Sequence, residues 1–267
     1  MRSFVRAFMR VARSVFTFVI LLSTLGTLAG CATSHTVSTL ADGVSVHAFR
    51  RDYTNIFVVA RGENFFMVDA GYEKDAPTLA DDLRRAGFEP GKLRAIILTH
   101  GHHDHAGGSS WFRERFQTPI IAGTGDAPLL AAGAVIDPLC PTDAIARGRL
   151  EDDEAARFTS VVADRWVESE LDLDAVTGVP GTITVLPGHT RGSLIITIPG
   201  AAFVGDLFRG SIVGSSAEVH FYMCDLGDNR ADVRALLGQL APKTTMFFPG
   251  HFGPVSRDAV AERFAGP

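Results

Sequence analysis

The chain has 267 residues, 46% of them apolar, and carries 25 basic against 30 acidic side chains. The first 30 residues hold four of the arginines and no acid, so without them the formal charge moves from −5 to −9. An acidic body repels phosphate backbones at long range, which speaks against a nucleic-acid partner. The remaining length, about 235 residues, suffices for one sizeable core, and no low-complexity linker marks a further domain.

In chain order, Arg2, Arg6, Arg10 and Arg13 precede an uncharged apolar stretch from Val15 to Leu28, which runs into Leu28-Ala-Gly-Cys31. This resembles a bacterial lipoprotein signal: a basic region, a short apolar region, then a cysteine at the cleavage boundary. The apolar run is shorter than the ~20 residues of a membrane-spanning helix, with an uncleaved anchor as the alternative. Cleavage makes Cys31 the lipid-bearing first residue, tethering a domain that is otherwise soluble. Ala32 after that cysteine implies the periplasmic side of the outer membrane in a Gram-negative cell. Residues 31–42, rich in Thr, Ser and Ala, read as a flexible tether, and the main domain follows over 43–267.

Apolar and β-rich runs predict strands over 44–49, 56–60, 65–68, 93–98 and 119–122, around a helix over about 75–86 with Leu79 and Leu83 on its apolar face. A second set predicts strands over 183–186, 194–198, 202–204 and 245–248, with helices over about 229–240 and 257–264. Between them, residues 123–174 contain an acidic patch, Glu151-Asp-Asp-Glu154, and read either as a wall of a substrate cleft or as a surface excursion. Phe158, Val161, Val162 and Trp166 have helical spacing and read as core.

The densest chemistry lies in Thr99-His-Gly-His-His-Asp-His-Ala-Gly-Gly108, where His100, His102, Asp104 and His105 fall within a few residues of a buried strand's end. Residues two apart in extended chain point the same way, so His100 and His102 reach one cation while Asp104 and His105, beyond the bend, turn to a second. Three further ligand-type residues each follow a strand-like run and a glycine: His189 in Leu-Pro-Gly-His, Asp206 in Phe-Val-Gly-Asp and His251 in Phe-Pro-Gly-His. His103 alternates away from the others. His35 and His47 read as surface histidines, and His220 as a solvated strand residue or a substrate contact. Cys140 and Cys224 are either paired or free.

Taken together, these residues resemble the metallo-β-lactamase fold superfamily, whose pattern is HxHxDH, a later His, a bridging Asp after Gly, and a final His. All of its positions are filled, in order, over roughly residues 42 to 260. The resemblance implies an α/β (α+β) fold, a four-layered αββα sandwich of two similar halves with metals at one edge of the sheets. It also implies that His100, His102 and His189 bind one metal, that Asp104, His105 and His251 bind a second, and that Asp206 bridges them. Asp69, in Met-Val-Asp-Ala-Gly, matches the family's acid at the end of an early strand, a partner orienting a ligand imidazole.

The cofactors implied are two divalent metal ions. Zinc suits imidazole and carboxylate best, and iron or manganese also fits. A hydroxide bridging two such ions would hydrolyse a small ester, thioester, lactone or amide, with Asp104 as a catalytic group for the leaving group's proton. Tyr222 is a second catalytic candidate, donating to a developing oxyanion, with packing as its alternative. Arg209 reads as solvated. The bridging Asp206 is more similar to thioesterases such as glyoxalase II and to lactonases than to true β-lactamases. Only 61 residues follow it, however, against a long glutathione-binding extension in glyoxalase II. Two other readings stand beside the hydrolase: a mononuclear iron oxygenase resembling the persulfide dioxygenases, with His100, His189 and Asp206 as ligands, and a non-catalytic metal-binding lipoprotein.

Overall fold

A sheet covered on both faces needs apolar side chains on both, and the central strands here meet that requirement. The computed structural model describes residues 34–265. Its first sheet contains β1 (Ser34–Thr39), β2 (Val44–Arg51), β3 (Thr54–Arg61), β4 (Asn64–Val68), β5 (Ile96–Ile97), β6 (Ile120–Gly123) and β7 (Arg165–Val167), hydrogen-bonded in that order. Pairing is antiparallel as far as β4 and parallel from there on. The chain then forms β8 (Glu170–Asp172), β9 (Thr182–Val185), β10 (Leu194–Ile198), β11 (Ala201–Gly205), a small hairpin of β12 (Arg209–Gly210) and β13 (Ala217–Glu218), β14 (Met246–Pro249) and β15 (Val255–Ser256). All but the hairpin make the second sheet, in the order β15-β14-β11-β10-β9-β8.

Alternation along these strands creates the layers. Phe57 and Val59 of β3 and Phe66 and Val68 of β4 face Ile183, Leu194, Ile196, Phe203 and Phe248 of the second sheet. Their neighbours Ile56, Val58, Phe65 and Met67 face outward. There they pack on Leu79 and Leu83 of α1 (Ala76–Arg85) and, beyond the short α2 (His103–Ala106), on Phe112 of α3 (Ser109–Phe116). Next come α4 (Ala127–Ala132), α5 (Ala144–Ala155) and α6 (Leu173–Thr177). On the far side Ile195, Ala202, Val204 and Phe247 meet Val233 of α7 (Leu226–Ala235) and Val260 and Phe264 of α8 (Arg257–Phe264). The architecture is the αββα sandwich. Asp225 caps α7, accepting from the N–H groups of Gly227 and Asp228, and Ser256 caps α8 through the N–H of Ala259.

Three expectations change. Residues 34–39, read as part of a flexible tether, form an edge strand paired to β2 from Ser34↔Arg50 to Thr39↔Ser45. Polar and β-branched side chains suit an exposed edge once a partner strand is available. The signal over 1–30 and Cys31 lie outside the described residues. The strand expected over 93–98 narrows to Ile96–Ile97. Phe158 and Val161 are buried as expected but on non-helical chain, because their N–H groups bond to the carbonyls of Gly133 and Leu130 rather than to a preceding turn. Val162 is 64% exposed, and Trp166 lies on β7. Among the described residues, no helix is long and apolar enough to cross a membrane.

Candidate metal centre

Five strands end at one rim, and each hands over a polar residue there. β4 leads to Asp69, β5 to His100 and His102, β9 to His189, β11 to Asp206 and β14 to His251. The chain turns into α2 immediately after His102, so Asp104 and His105 leave in a different direction from the two preceding ligand candidates. Asp69 adopts left-handed backbone, φ 61°, a conformation that Asp tolerates better than most residues. Its carboxylate accepts from the Thr99 N–H at 2.7 Å and the Thr99 hydroxyl at 2.8 Å, and lies 2.8 Å from His105 Nδ1. Glycine is required at Gly250, where a Cβ would collide with Asp206 Oδ1 and the His105 ring.

The structure brings all the predicted ligand residues together. Donor atoms of His100, His102 and His189 lie within 4.8 Å of one another, and so do those of Asp104, His105 and His251. Asp206 sits between the groups: its Oδ2 is 3.5 Å from His100 Nε2, 3.7 Å from His189 Nε2, 3.4 Å from His105 Nε2 and 3.3 Å from His251 Nε2. Asp104 Oδ2 is 3.4 Å from both His105 Nε2 and His251 Nε2, and accepts from the Thr54 hydroxyl at 2.8 Å. His100 Nε2, His105 Nε2 and Asp206 Oδ1 are buried without a hydrogen-bond partner. Orphaned buried polar atoms cost about 1–3 kcal/mol each, so a convergent set of imidazole nitrogens and carboxylate oxygens fits divalent cations.

Electrostatics separates the two groups. Burial holds His100 and His189 well below the usual imidazole range and His102 down to about 4, so their nitrogens keep free lone pairs. Burial acts the same way on His105 and His251, but the surrounding carboxylates of Asp104 and Asp206 outweigh it and raise both. The carboxyls of Asp104 and Asp206 are pulled upward by burial yet held well below their ordinary range by the adjacent histidines.

The family model for the metallo-β-lactamase superfamily matches residues 49–251. The chain belongs to that superfamily. Among curated relatives it is similar to the probable metallo-hydrolase YybB of Bacillus subtilis, 26% identical over 183 residues, covering 68% of this chain and 73% of the relative. It is also similar to a hydroxyacylglutathione hydrolase of Dechloromonas aromatica, 28% identical over 174 residues, covering 63% of this chain and 48% of the relative. The chain thus spans about half the length of that enzyme. The solved subclass B3 metallo-β-lactamase BJP-1 of Bradyrhizobium japonicum superposes with a TM-score of 0.55 at 22% identity, over 80% of this chain and 77% of that one. At that identity it shows the shared fold. This metallo-β-lactamase superfamily member is a metal-dependent hydrolase.

Beside these candidate ligands lies a cavity of about 370 Å³ whose wall includes Val135, Leu139, Ile145, Arg149, Phe221 and Phe252. The segment over 123–174 therefore does wall the cleft. Tyr222 also lines it, but its hydroxyl donates to Asp153 Oδ2 at 2.5 Å, which commits its proton away from an oxyanion. Arg209 is not solvated: it packs 4.3 Å over the Phe221 ring and pairs with Asp143 at 3.4 Å. His103 rests 5.5 Å from the Tyr72 ring on the cavity wall. His35 is exposed, as expected, while His47 is half-buried against Phe88. Cys140 and Cys224 form a disulfide.

Two residues escaped the sequence reading. His220, expected as solvated or substrate-facing, is buried, with Nε2 3.0 Å from Asp206 Oδ2. Asp126 is fully buried and accepts from the Gly101 N–H, the Thr190 hydroxyl and the Gly192 N–H, each at 2.8 Å. It ties the loop of His100 and His102 to that of His189. Asp126 precedes Ala-Pro at the start of a helix, which reads locally as an ordinary helix start, and nothing local distinguishes His220.

Proposed function

We propose that this hydrolase uses two metal ions to cleave a small, largely apolar and uncharged ester, thioester, lactone or amide, and that it works outside the cytoplasm on a lipid anchor at Cys31. The observation that carries the reading is the position of Asp206, whose Oδ2 lies 3.3–3.7 Å from histidines of both ligand groups. Two bound divalent cations would supply a water of lowered pKa and polarise the substrate's carbonyl oxygen. The residues that would hold them are His100, His102 and His189 for one and Asp104, His105 and His251 for the other, with Asp206 shared.

The chain's own part is binding and orientation. Asp69 fixes the His105 ring through Nδ1, and Thr54 fixes the Asp104 carboxylate, which faces the cavity. Phe221, Phe252, Ile145 and Leu139 offer an apolar seat. The wall's arginine, Arg149, is paired to Asp153 at 3.1 Å and lies 5.4 Å over Tyr53, so its charge is already matched. That supports an uncharged substrate over a glutathione thioester, which carries carboxylates. The disulfide supports an oxidising compartment, in keeping with the leader.

Elemental analysis of the purified protein tests the reading. About two zinc ions per chain, hydrolysis of lactones or uncharged esters, and loss of turnover in Asp104→Ala are expected. One iron per chain with oxygen uptake on persulfides would overturn it in favour of the oxygenase. Release of Cys31→Ser from the membrane fraction is the expected result for the anchor, and unchanged fractionation would remove it.

A further inference from the structure

We propose that His220 is an additional protein donor to the metal centre, coordinating through Nε2 on the side of His189 and Asp206. The inference rests on the metal-centre reading above but adds a residue outside the family motif. His220 is 2% exposed, and its Nε2 is buried with no hydrogen-bond partner. That nitrogen lies 3.0 Å from Asp206 Oδ2 without the alignment of a hydrogen bond, so it points past the carboxylate oxygen. Donor atoms of His189, Asp206 and His220 fall within 4.8 Å of one another, a spacing a single cation can span.

The wiring of the ring carries the argument further. His100 turns Nδ1 to the Thr99 hydroxyl at 3.1 Å, His105 turns it to Asp69 at 2.8 Å, and His251 turns it to the Tyr53 carbonyl at 3.0 Å. Each of these residues thereby directs Nε2 inward. His220 is likewise held by its Nδ1, which lies 3.2 Å from both the carbonyl and the N–H of Tyr222, so the Tyr222 backbone fixes the ring with Nε2 directed inward. The tautomer that carries its proton on Nδ1 would donate it to that carbonyl and keep the Nε2 lone pair for a metal, the arrangement typical of ligand histidines. Metal binding would select it over the tautomer that accepts from the Tyr222 N–H. A merely packed histidine would leave Nε2 orphaned at a cost, and a donor to Asp206 would be aligned with it.

The loop is built to hold this position. The Thr142 hydroxyl donates to the His220 carbonyl at 2.7 Å, and Cys140–Cys224 closes the loop just beyond. The ring is 4.8 Å from that of His189 and stacks on that of His251 at 5.2 Å.

The test compares metal-free wild type with His220→Phe, which keeps a ring in the packing, and with His220→Gln. Each is titrated with zinc against a chromophoric chelator, and each is loaded with cobalt for its visible absorption. Wild type is expected to take two equivalents. The variants, with unchanged far-UV circular dichroism, are expected to bind one equivalent at least about tenfold more weakly, with an altered cobalt spectrum. Wild type with nitrogen-labelled histidine and NMR-active cadmium answers the same question without a variant: His220 Nε2 should show direct coupling to cadmium. Equal zinc affinities with unchanged cobalt spectra, or no coupling at His220, overturns the proposal. Uptake of a single equivalent by wild type would sink the two-metal reading instead, and the cadmium coupling would still decide the donor.

Discussion

Replacing Asp126 by Asn keeps the shape of a buried side chain and changes only what it can accept. The carboxylate now meets three donors, Gly101 N–H and Thr190 Oγ1 on Oδ2 and Gly192 N–H on Oδ1. However the amide turns, its NH2 faces at least one of them, leaving a buried N–H without a partner at about 1–3 kcal/mol. The remaining bonds also lose the strength that charge lends them. Against this, burial already pushes the Asp126 carboxyl upward, so removing the charge returns part of its desolvation cost. The net expectation is a loss of about 2 kcal/mol, or ~4–8 °C in melting temperature for a domain of this size. Because Asp126 joins the loops of His100, His102 and His189, zinc affinity should fall about 10–100-fold as well. Thermal unfolding of the metal-free protein and zinc competition with a chelator measure the two effects. A melting temperature within about 1 °C of wild type together with unchanged zinc affinity would refute this account of Asp126.

Gly250→Ala forces a methyl into Asp206 and the His105 ring, and should abolish stoichiometric metal binding in elemental analysis while leaving helix content measurable by circular dichroism. Cys140→Ser with Cys224→Ser opens a crosslink across a sequence separation of 84 residues, and denaturant titration should show a loss of about 2–5 kcal/mol. Tyr222→Phe removes a hydroxyl already engaged by Asp153, so kcat should change less than about threefold, under ~0.7 kcal/mol. Asp164 is pushed up by burial, but the Ile120 N–H and Arg113 outweigh this and hold it below its ordinary range. Its stabilising contribution is therefore present above its unfolded pKa, about 4, and is lost as pH falls through the lower folded value. Asp164→Asn should flatten that acid-side fall in melting temperature, and an unaltered slope would count against it.

What was legible in the sequence was local and repetitive. His100, His102, Asp104 and His105 announce themselves by density, and His189, Asp206 and His251 by a shared pattern of strand, glycine and ligand-type residue, because the strands that precede them all end at the same rim. Doubly apolar strands such as Phe57-Val-Val and Phe65-Phe-Met-Val likewise report burial on both faces. What stayed hidden depends on partners remote in sequence. Ser34–Thr39 is a strand only because β2 lies alongside, and Phe158 and Val161 are non-helical because residues 130–133 take their N–H groups. His220 reaches the centre through a loop fixed by Thr142 and by the disulfide, neither of which leaves a spacing to read.

The disulfide has a consequence for how the enzyme discriminates. Cys140 belongs to the segment that supplies Leu139 and Ile145 to the cavity, and Cys224 to the one that supplies Phe221 and places His220. Joined covalently, the side that sorts molecules by shape and the side that carries the reactive core move as one body. Little ordering then has to be done when a substrate arrives, which favours affinity for well-fitting molecules and penalises bulky ones that would need the rim to swing aside. Selectivity is thus laid down when the thiols are oxidised, so the compartment in which the chain matures becomes a determinant of what it will accept.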